Sequence, residues 1–113
     1  MQHTKYGVNY FRFSSRRPVE DFIEAQPSSV QAKIYKYVAV LHEYGSHAGW
    51  PVVKRIEKGL FELRIRGMVE VRLIFVCAGN DVMILHGFIK KTQKLPLKEL
   101  RLAKKRLTLL SHM

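Results

Sequence analysis

The sequence is poor in cysteine, in acidic residues and in long apolar runs, and each shortage excludes a class of protein. The single cysteine, Cys77 in "IFVCAGN", cannot form an internal disulfide, and its apolar neighbours favour a buried thiol. No stretch approaches the ~20 apolar residues of a membrane span, and the start "MQHTKYGVNYFRF" lacks the apolar core of a signal peptide. These features predict a protein of the reducing cytoplasm with no membrane partner.

The shortage of acidic residues leaves a large positive charge. Nine Asp plus Glu stand against 20 Lys plus Arg, which gives a formal net charge of +11. Residues 90–113 hold 8 of the basic residues and Glu99 as their only acid. This excess predicts a polyanionic partner, nucleic acid first. At 113 residues and 47% hydrophobic composition, the chain is predicted to fold as one domain, 1–113.

Hydrophobic periodicity predicts an α+β fold in which strands and helices are separated by Gly, Pro and Ser. The short turns after residues 66 and 78 favour antiparallel hairpins. The predicted order is β-α-α-β-β-β-α, with a twisted antiparallel sheet packed against two N-terminal helices and a C-terminal helix. The predicted elements are a strand at 8–15, a helix from Pro18, a helix from Ser28 or Ser29 to Gly45, a loop at 44–59, strands at 60–66, 69–77 and 81–90, and a helix at 97–110.

The stretch "GLFELRIRGMVEVRLIFV" (59–76) carries charged residues at alternate positions of two predicted strands. Because side chains alternate along a strand, one face of the sheet is predicted to bear Arg64, Arg66, Arg72, His86 and Lys90, while Met83, Leu85 and Ile89 lie on the apolar face. A solvated face with Glu-Arg pairs of ~0.2–1 kcal/mol is one interpretation. Glu62 and Glu70 are too few to balance the bases, however, which favours a phosphate-binding face. Further basic residues can extend it: Lys54 and Arg55 before these strands, and Lys91 and Lys94 after them.

The aromatic residue of the central loop favours a structural role. Trp50 stands beside Pro51, and this position predicts a cover over the core rather than a surface that stacks nucleobases. The basic residues of the last helix are predicted to be solvated on its outer face while Leu97, Leu100, Leu107 and Leu110 pack inward.

The strings "PVVKRIEKGLFELRIR", "VRLIFV" and "LHGFIKKTQKLPLKELRLAKKR" resemble RelE-superfamily toxins of the HigB type, in their phage-derived branch. The positions that carry the resemblance are Pro51, Lys54, 59–64, Arg72, Phe88, Lys90, Lys91, Thr92, Lys94, Pro96, Glu99, Ala103 and Arg106. The resemblance implies a RelE-like fold and the toxin of a type II toxin-antitoxin system. Such a toxin is a ribosome-dependent mRNA endoribonuclease that enters the A site and needs no metal or other cofactor. Its partners are mRNA, the ribosome and a helix-turn-helix antitoxin of the HigA type.

The resemblance also implies roles for individual residues. Arg64 and Arg72 match strand arginines that bind and stabilise the scissile phosphate, Lys54 matches a loop lysine, and Lys90 and Lys91 match a basic pair after the last strand. The motif does not assign the general base, for which Glu62 and His86 are alternatives, and the charge pattern makes Arg55, Arg66 and Lys94 further candidates for RNA contact. No tyrosine follows the last strand, which ends "FIKKTQK". The proton transfers therefore have no assigned residues, and a basic module that blocks translation without cleavage is an alternative function.

Overall fold

A computed structural model describes residues 5–111 of the protein. These residues form five strands, three helices and one 3-10 turn around a single hydrophobic core, which confirms the predicted α+β class. The elements are β1 (Gly7–Tyr10), α1 (Pro18–Glu24), α2 (Ser28–Tyr44), the 3-10 turn (Gly45–Ala48), β2 (Val53–Glu57), β3 (Leu60–Ile65), β4 (Val71–Ala78), β5 (Asp81–Ile89) and α3 (Leu97–Ser111). None of the helices within 5–111 is long and apolar enough to cross a membrane.

The strands form one mixed sheet in the order β1-β5-β4-β3-β2. β1 runs parallel to β5, whereas the other neighbouring strands are antiparallel. The prediction of a wholly antiparallel sheet is therefore wrong at the β1 edge. The helices α1 and α2 carry the chain from one edge of the sheet to the other, so β1 meets β5 through the tertiary fold and no local turn signals the pairing.

β2 lies where the sequence predicted a loop, so the observed order is β-α-α-β-β-β-β-α. It is an edge strand, paired only with β3. Lys54, Arg55 and Glu57 are exposed, and Val53 is its one buried residue, so the alternation that identifies a half-buried strand is missing. Charged side chains on an edge strand also hinder pairing with other chains.

The helices α1 and α2 pack against one face of the sheet. Their buried residues are among those that helical spacing predicts: Val19, Ile23, Ile34, Val38 and Leu41. Gly87 of β5 lies under α1, where an added Cβ would stand 2.7 Å from Phe22 and 2.8 Å from Leu73. A side chain at this position would displace one of these neighbours, so Gly87 allows α1 to lie close to the sheet.

α3 packs on the opposite face, against β5. His86 precedes Gly87 and therefore points away from α1, and its ring contacts Glu99 and Arg106 of α3. Ile74 lies directly opposite His86 on β4 and is 0% exposed. This partial cover explains why the same face of β4 changes from charged at Arg72 to apolar at Ile74.

A β-bulge in β5 changes which residues of that strand lie on the same face of the sheet. His86 pairs with Ile74, but Ile84 pairs with Phe75, so one residue of β5 between them has no partner on β4. An inserted residue reverses the alternation beyond it. Met83 pairs with Val76 and lies on the α3 face, and the prediction that it packs on the α1–α2 face is wrong.

Candidate functional site

The charged ends of the central strands line an open depression of about 340 Å³, which we call the basic cleft. Its walls come from β3, β4, the end of β5 and the loop that follows. The lining residues are Arg64, Arg66, Glu70, Arg72, Lys90, Lys91, Thr92 and Gln93. Five bases and one acid give the cleft a net positive charge, which is the electrostatic requirement for binding a phosphate group.

A second depression of about 210 Å³ adjoins the basic cleft; we call it the Lys54 depression. Its lining residues are Lys54, Arg55, Ile56, Glu62, Lys90 and Leu95. Lys54 of β2 lies directly opposite Glu62 of β3 in the sheet register. Lys90 borders both depressions, so its side chain links the basic cleft to the depression that contains Glu62.

Arg72 forms the buried floor of the basic cleft, next to Glu62. Its side chain is 4% exposed, and its Nη2 lies 3.1 Å from a Glu70 carboxylate oxygen. Its Nε lies 3.7 Å from Glu62, whose side chain is 2% exposed. Nη1 donates a hydrogen bond of 3.1 Å to the carbonyl oxygen of Val71. The guanidinium therefore holds two carboxylates and is less open to a ligand than the strand pattern implies.

Glu70 organises the opposite wall of the basic cleft. Its carboxylate accepts a 3.0 Å hydrogen bond from the backbone N–H of Gly67 and lies 3.4 Å from the Nε of Arg66. The pKa of Glu70 is lowered, first by the Gly67 bond and then by Arg72 and Arg66, against the opposing effect of burial. An ionised Glu70 restricts both guanidinium groups before any ligand arrives.

Glu62 and Lys90 combine a proton acceptor with a proton donor. Glu62 is 2% exposed, and its Oε2 has no hydrogen-bond partner among the described residues. Burial is the main cause that lowers the pKa of Lys90, although the charge of Glu62 opposes the shift. Arg72, Lys54 and Arg64 lower the same pKa further. Such a lysine gives up its proton more readily than an ordinary one, which suits an acid catalyst.

Arg64 connects the basic cleft with the loop before β2. Its Nη1 donates a 2.9 Å hydrogen bond to the carbonyl oxygen of Pro51, and its Cζ lies 4.3 Å from the centre of the Trp50 ring. Trp50 is 68% exposed. The prediction that Trp50 covers the core is therefore wrong: its ring projects from the loop and packs against a cleft residue.

Two predicted site residues lie outside both depressions. Lys94 is exposed beyond the cleft wall, where its carbonyl oxygen accepts a 2.8 Å hydrogen bond from Thr92. His86 is 8% exposed, and α3 engages both of its ring nitrogens: Nε2 lies 3.1 Å from Glu99 and Nδ1 lies 3.2 Å from Arg106. A guanidinium can only donate, so this network assigns the proton to Nε2 and leaves Nδ1 as an acceptor. His86 thereby fastens α3 to the sheet.

This network predicts a loss of stability in mild acid. Burial is the main cause that lowers the pKa of His86. Glu99 opposes this shift through its hydrogen bond and its charge, and the charge of Arg106 adds a small further lowering. Below about pH 6.5 the unfolded chain therefore binds a proton that the folded chain resists, so the free energy of unfolding falls as pH drops, by at most about 1.4 kcal/mol per pH unit from this group. Urea unfolding between about pH 7.5 and about pH 5.5 measures the slope.

A matched pair of variants isolates His86 from the other titrating groups. His86→Gln is expected to be less stable than wild type at neutral pH but to lose less stability on acidification. His47→Gln, on the exposed 3-10 turn, is the control and should keep the wild-type slope. The lowered pKa of Glu70 acts below about pH 4.5, outside this window. Equal slopes in His86→Gln and wild type would contradict the lowered pKa of His86.

The cleft also contains residues that sequence reasoning did not assign to a site. The alternation placed Glu70 on the charged face, but its role in holding two arginines follows from the turn at Gly67. Thr92 and Gln93 line the cleft because of the path of the loop after β5, which strand alternation does not predict. Trp50 lies beside the cleft residue Arg64, whereas its position next to Pro51 predicted a place over the core.

Together, the fold and the two depressions define a small basic α+β protein with a positively charged cleft at one end of its sheet. Residues 21–108 match the family described as phage derived protein Gp49-like (DUF891). The match spans more than half of the chain, so the protein belongs to this family, which is associated with RelE-like and toxin-like proteins. No curated protein matches the sequence.

Proposed function

We propose that the protein is the toxin of a type II toxin-antitoxin system, of the HigB type, and cleaves mRNA on the ribosome. The observation that carries the proposal is the basic cleft, with five bases against one acid, beside the buried and incompletely paired carboxylate of Glu62. The association of the Gp49-like family with RelE-like proteins supports the class of activity. The mRNA in the ribosomal A site is the proposed substrate.

In the proposed reaction the scissile phosphate occupies the basic cleft. Arg64 and Lys91 contact its oxygens from two sides, Glu70 keeps Arg66 oriented toward it, and the buried Arg72 adds positive charge from the floor of the cleft. Positive groups that are fixed in advance stabilise the negative charge that develops on the non-bridging oxygens of the phosphate, at no cost in reorganisation. This positioning also favours the in-line approach of the ribose 2′-oxygen.

Two proton transfers complete the proposed reaction. The 2′-oxygen attacks phosphorus while Glu62 accepts the 2′-OH proton, and the bond from phosphorus to the 5′-oxygen breaks as Lys90 donates a proton to that oxygen. The products are a 2′,3′-cyclic phosphate and a 5′-OH. The shared depression and the lowered pKa of Lys90 support this pairing. The same reaction needs no metal ion or other cofactor.

The proposed partners are the ribosome and an antitoxin, and the proposed compartment is the cytoplasm. The net charge of +11 favours association with ribosomal RNA, and the cytoplasm is the compartment that holds this substrate. A helix-turn-helix antitoxin of the HigA type is the proposed inhibitor. The alternative is a basic module that occupies the ribosome without cutting, which the missing tyrosine after β5 favours.

Expression in bacteria tests the proposal. The wild-type chain is expected to arrest growth, and primer extension on mRNA from treated ribosomes should show new 5′ ends. Co-expression of a neighbouring helix-turn-helix protein should relieve the arrest.

Lys91→Ala removes an exposed phosphate contact and should weaken ribosome pelleting and cleavage together, by roughly tenfold. Lys36→Ala, an exposed lysine of α2 outside the basic cleft, is the control and should behave as wild type.

The outcomes separate the candidate functions. Wild-type protein that pellets with ribosomes but leaves the message intact would favour the binding module. Normal growth with confirmed expression of folded protein, and no pelleting, would contradict both functions.

A further inference from the structure

Trp50 presents an aromatic surface that the fold does not use. The side chain is 68% exposed, although the guanidinium of Arg64 covers one face of its ring at 4.3 Å. Arg64 is itself fixed by its 2.9 Å hydrogen bond to Pro51. Because one face of the ring is covered and most of the residue is still exposed, the other face is open to a ligand.

The position of the ring relative to the basic cleft restricts what this ligand can be. Arg64 lines the basic cleft and also backs the Trp50 ring, so the two surfaces are one side chain apart. The cleft, with five bases and one acid, selects negative charge, whereas the ring selects a flat apolar or aromatic surface. A ligand that satisfies both pairs an anionic group with an aromatic one, and a nucleotide has this composition.

We propose that Trp50 stacks an unpaired nucleobase of the RNA whose phosphate lies in the basic cleft. This inference rests on the proposed function and adds a base-binding position to it. Proteins that hold single-stranded nucleic acid combine a basic groove with aromatic side chains on which bases stack. The guanidinium behind the ring adds a cation–π contact that keeps the indole in place. Trp50 thereby sets the register of the message relative to the scissile phosphate.

The experiment uses the fact that Trp50 is the only tryptophan of the chain, so intrinsic fluorescence reports on this residue alone. The full chain is titrated with a 2′-O-methyl oligoribonucleotide, which lacks the attacking 2′-OH and cannot be cut. An abasic oligonucleotide of the same length and inorganic phosphate are the comparison ligands. The oligoribonucleotide should change the emission of Trp50, whereas the abasic strand and phosphate should bind with little change.

Substitutions provide a second readout. Trp50→Ala is expected to weaken binding of the base-bearing strand by about 10- to 100-fold and to leave abasic binding unchanged. Trp50→Phe should recover much of the affinity, because it restores an aromatic face. Lys91→Ala, which removes a phosphate contact, should weaken both strands equally. The exposure of Trp50 means that neither substitution disturbs the core.

The inference and the proposed function fail in different ways. If RNA binds without a change in emission and Trp50→Ala binds it like wild type, the stacking inference is wrong, even where the wild type still cuts mRNA on ribosomes. If the emission change and the affinity loss occur but no message is cut, stacking stands and the proposed nuclease activity is wrong. If the strand does not bind at any concentration tested, the stacking inference is overturned as well.

Discussion

Glu62→Gln is expected to slow mRNA cleavage by about 10²–10⁴-fold while ribosome binding stays at the wild-type level. The carboxylate is buried and shares the Lys54 depression with Lys90, and one of its oxygens has no partner within residues 5–111. Glutamine keeps the shape of the side chain but accepts no proton from the 2′-OH. The measurement is single-turnover primer extension on preassembled ribosome complexes, with pelleting of the same samples.

The control for this experiment is Glu57→Gln. Glu57 is an exposed acid of the neighbouring strand, 2.9 Å from the Nζ of Lys104, and lies outside both depressions. Its variant should cut like wild type. Thermal unfolding is measured for both variants, because Glu62 also lies 3.7 Å from Arg72. A Glu62→Gln protein that is folded and cuts at the wild-type rate would show that Glu62 is not the general base.

The central hairpins and the charged face could be predicted because both depend on local pattern. Alternation along β3 and β4 places Arg64 opposite Arg72 once the short turn fixes the register, as the structure shows. The pairing of β1 with β5 could not be predicted in this way, since it joins segments that are far apart in sequence. β2 was missed because its exposed charges replace the alternation that marks a strand.

The extent of the candidate site depends on tertiary contacts that alternation does not contain. His86 shares a face with Arg72, but α3 crosses that face and engages both ring nitrogens. Hydrophobic spacing predicted α3 but did not indicate which strands of the sheet the helix packs against. The same limit applies to Trp50, because the exposure of a loop residue depends on the path of the loop. Alternation therefore identified the charged face, and packing decided which part of it is open.

The burial of Arg72 changes the expected result of its removal. From the resemblance alone, Arg72 is a ligand of the scissile phosphate, and its loss would reduce cleavage without affecting the fold. In the structure, the side chain is 4% exposed and lies 3.7 Å from Glu62 and 3.1 Å from Glu70, so its charge partly compensates both carboxylates. Removing one partner of a buried ion pair leaves uncompensated charge in a medium that solvates it poorly.

Arg72→Ala is therefore expected to lower the free energy of unfolding by about 3–5 kcal/mol. This corresponds to a fall of roughly 10–20 °C in the midpoint of thermal unfolding for a domain of this size. Denaturant titration and thermal unfolding at neutral pH measure the change. Arg72→Lys should lose part of the stability, because an ammonium group lacks the fork that reaches two carboxylates.

A double variant separates lost charge compensation from lost packing. Glu62→Gln combined with Arg72→Met removes the buried carboxylate together with its partner, and should recover much of the stability that Arg72→Ala loses, since an uncharged pair of similar volume is tolerated. The two substitutions should thus be strongly non-additive, as expected for residues in contact. If Arg72→Ala instead unfolds at the wild-type midpoint but no longer cuts mRNA, Arg72 acts on the phosphate directly, and the two carboxylates are held by other neighbours.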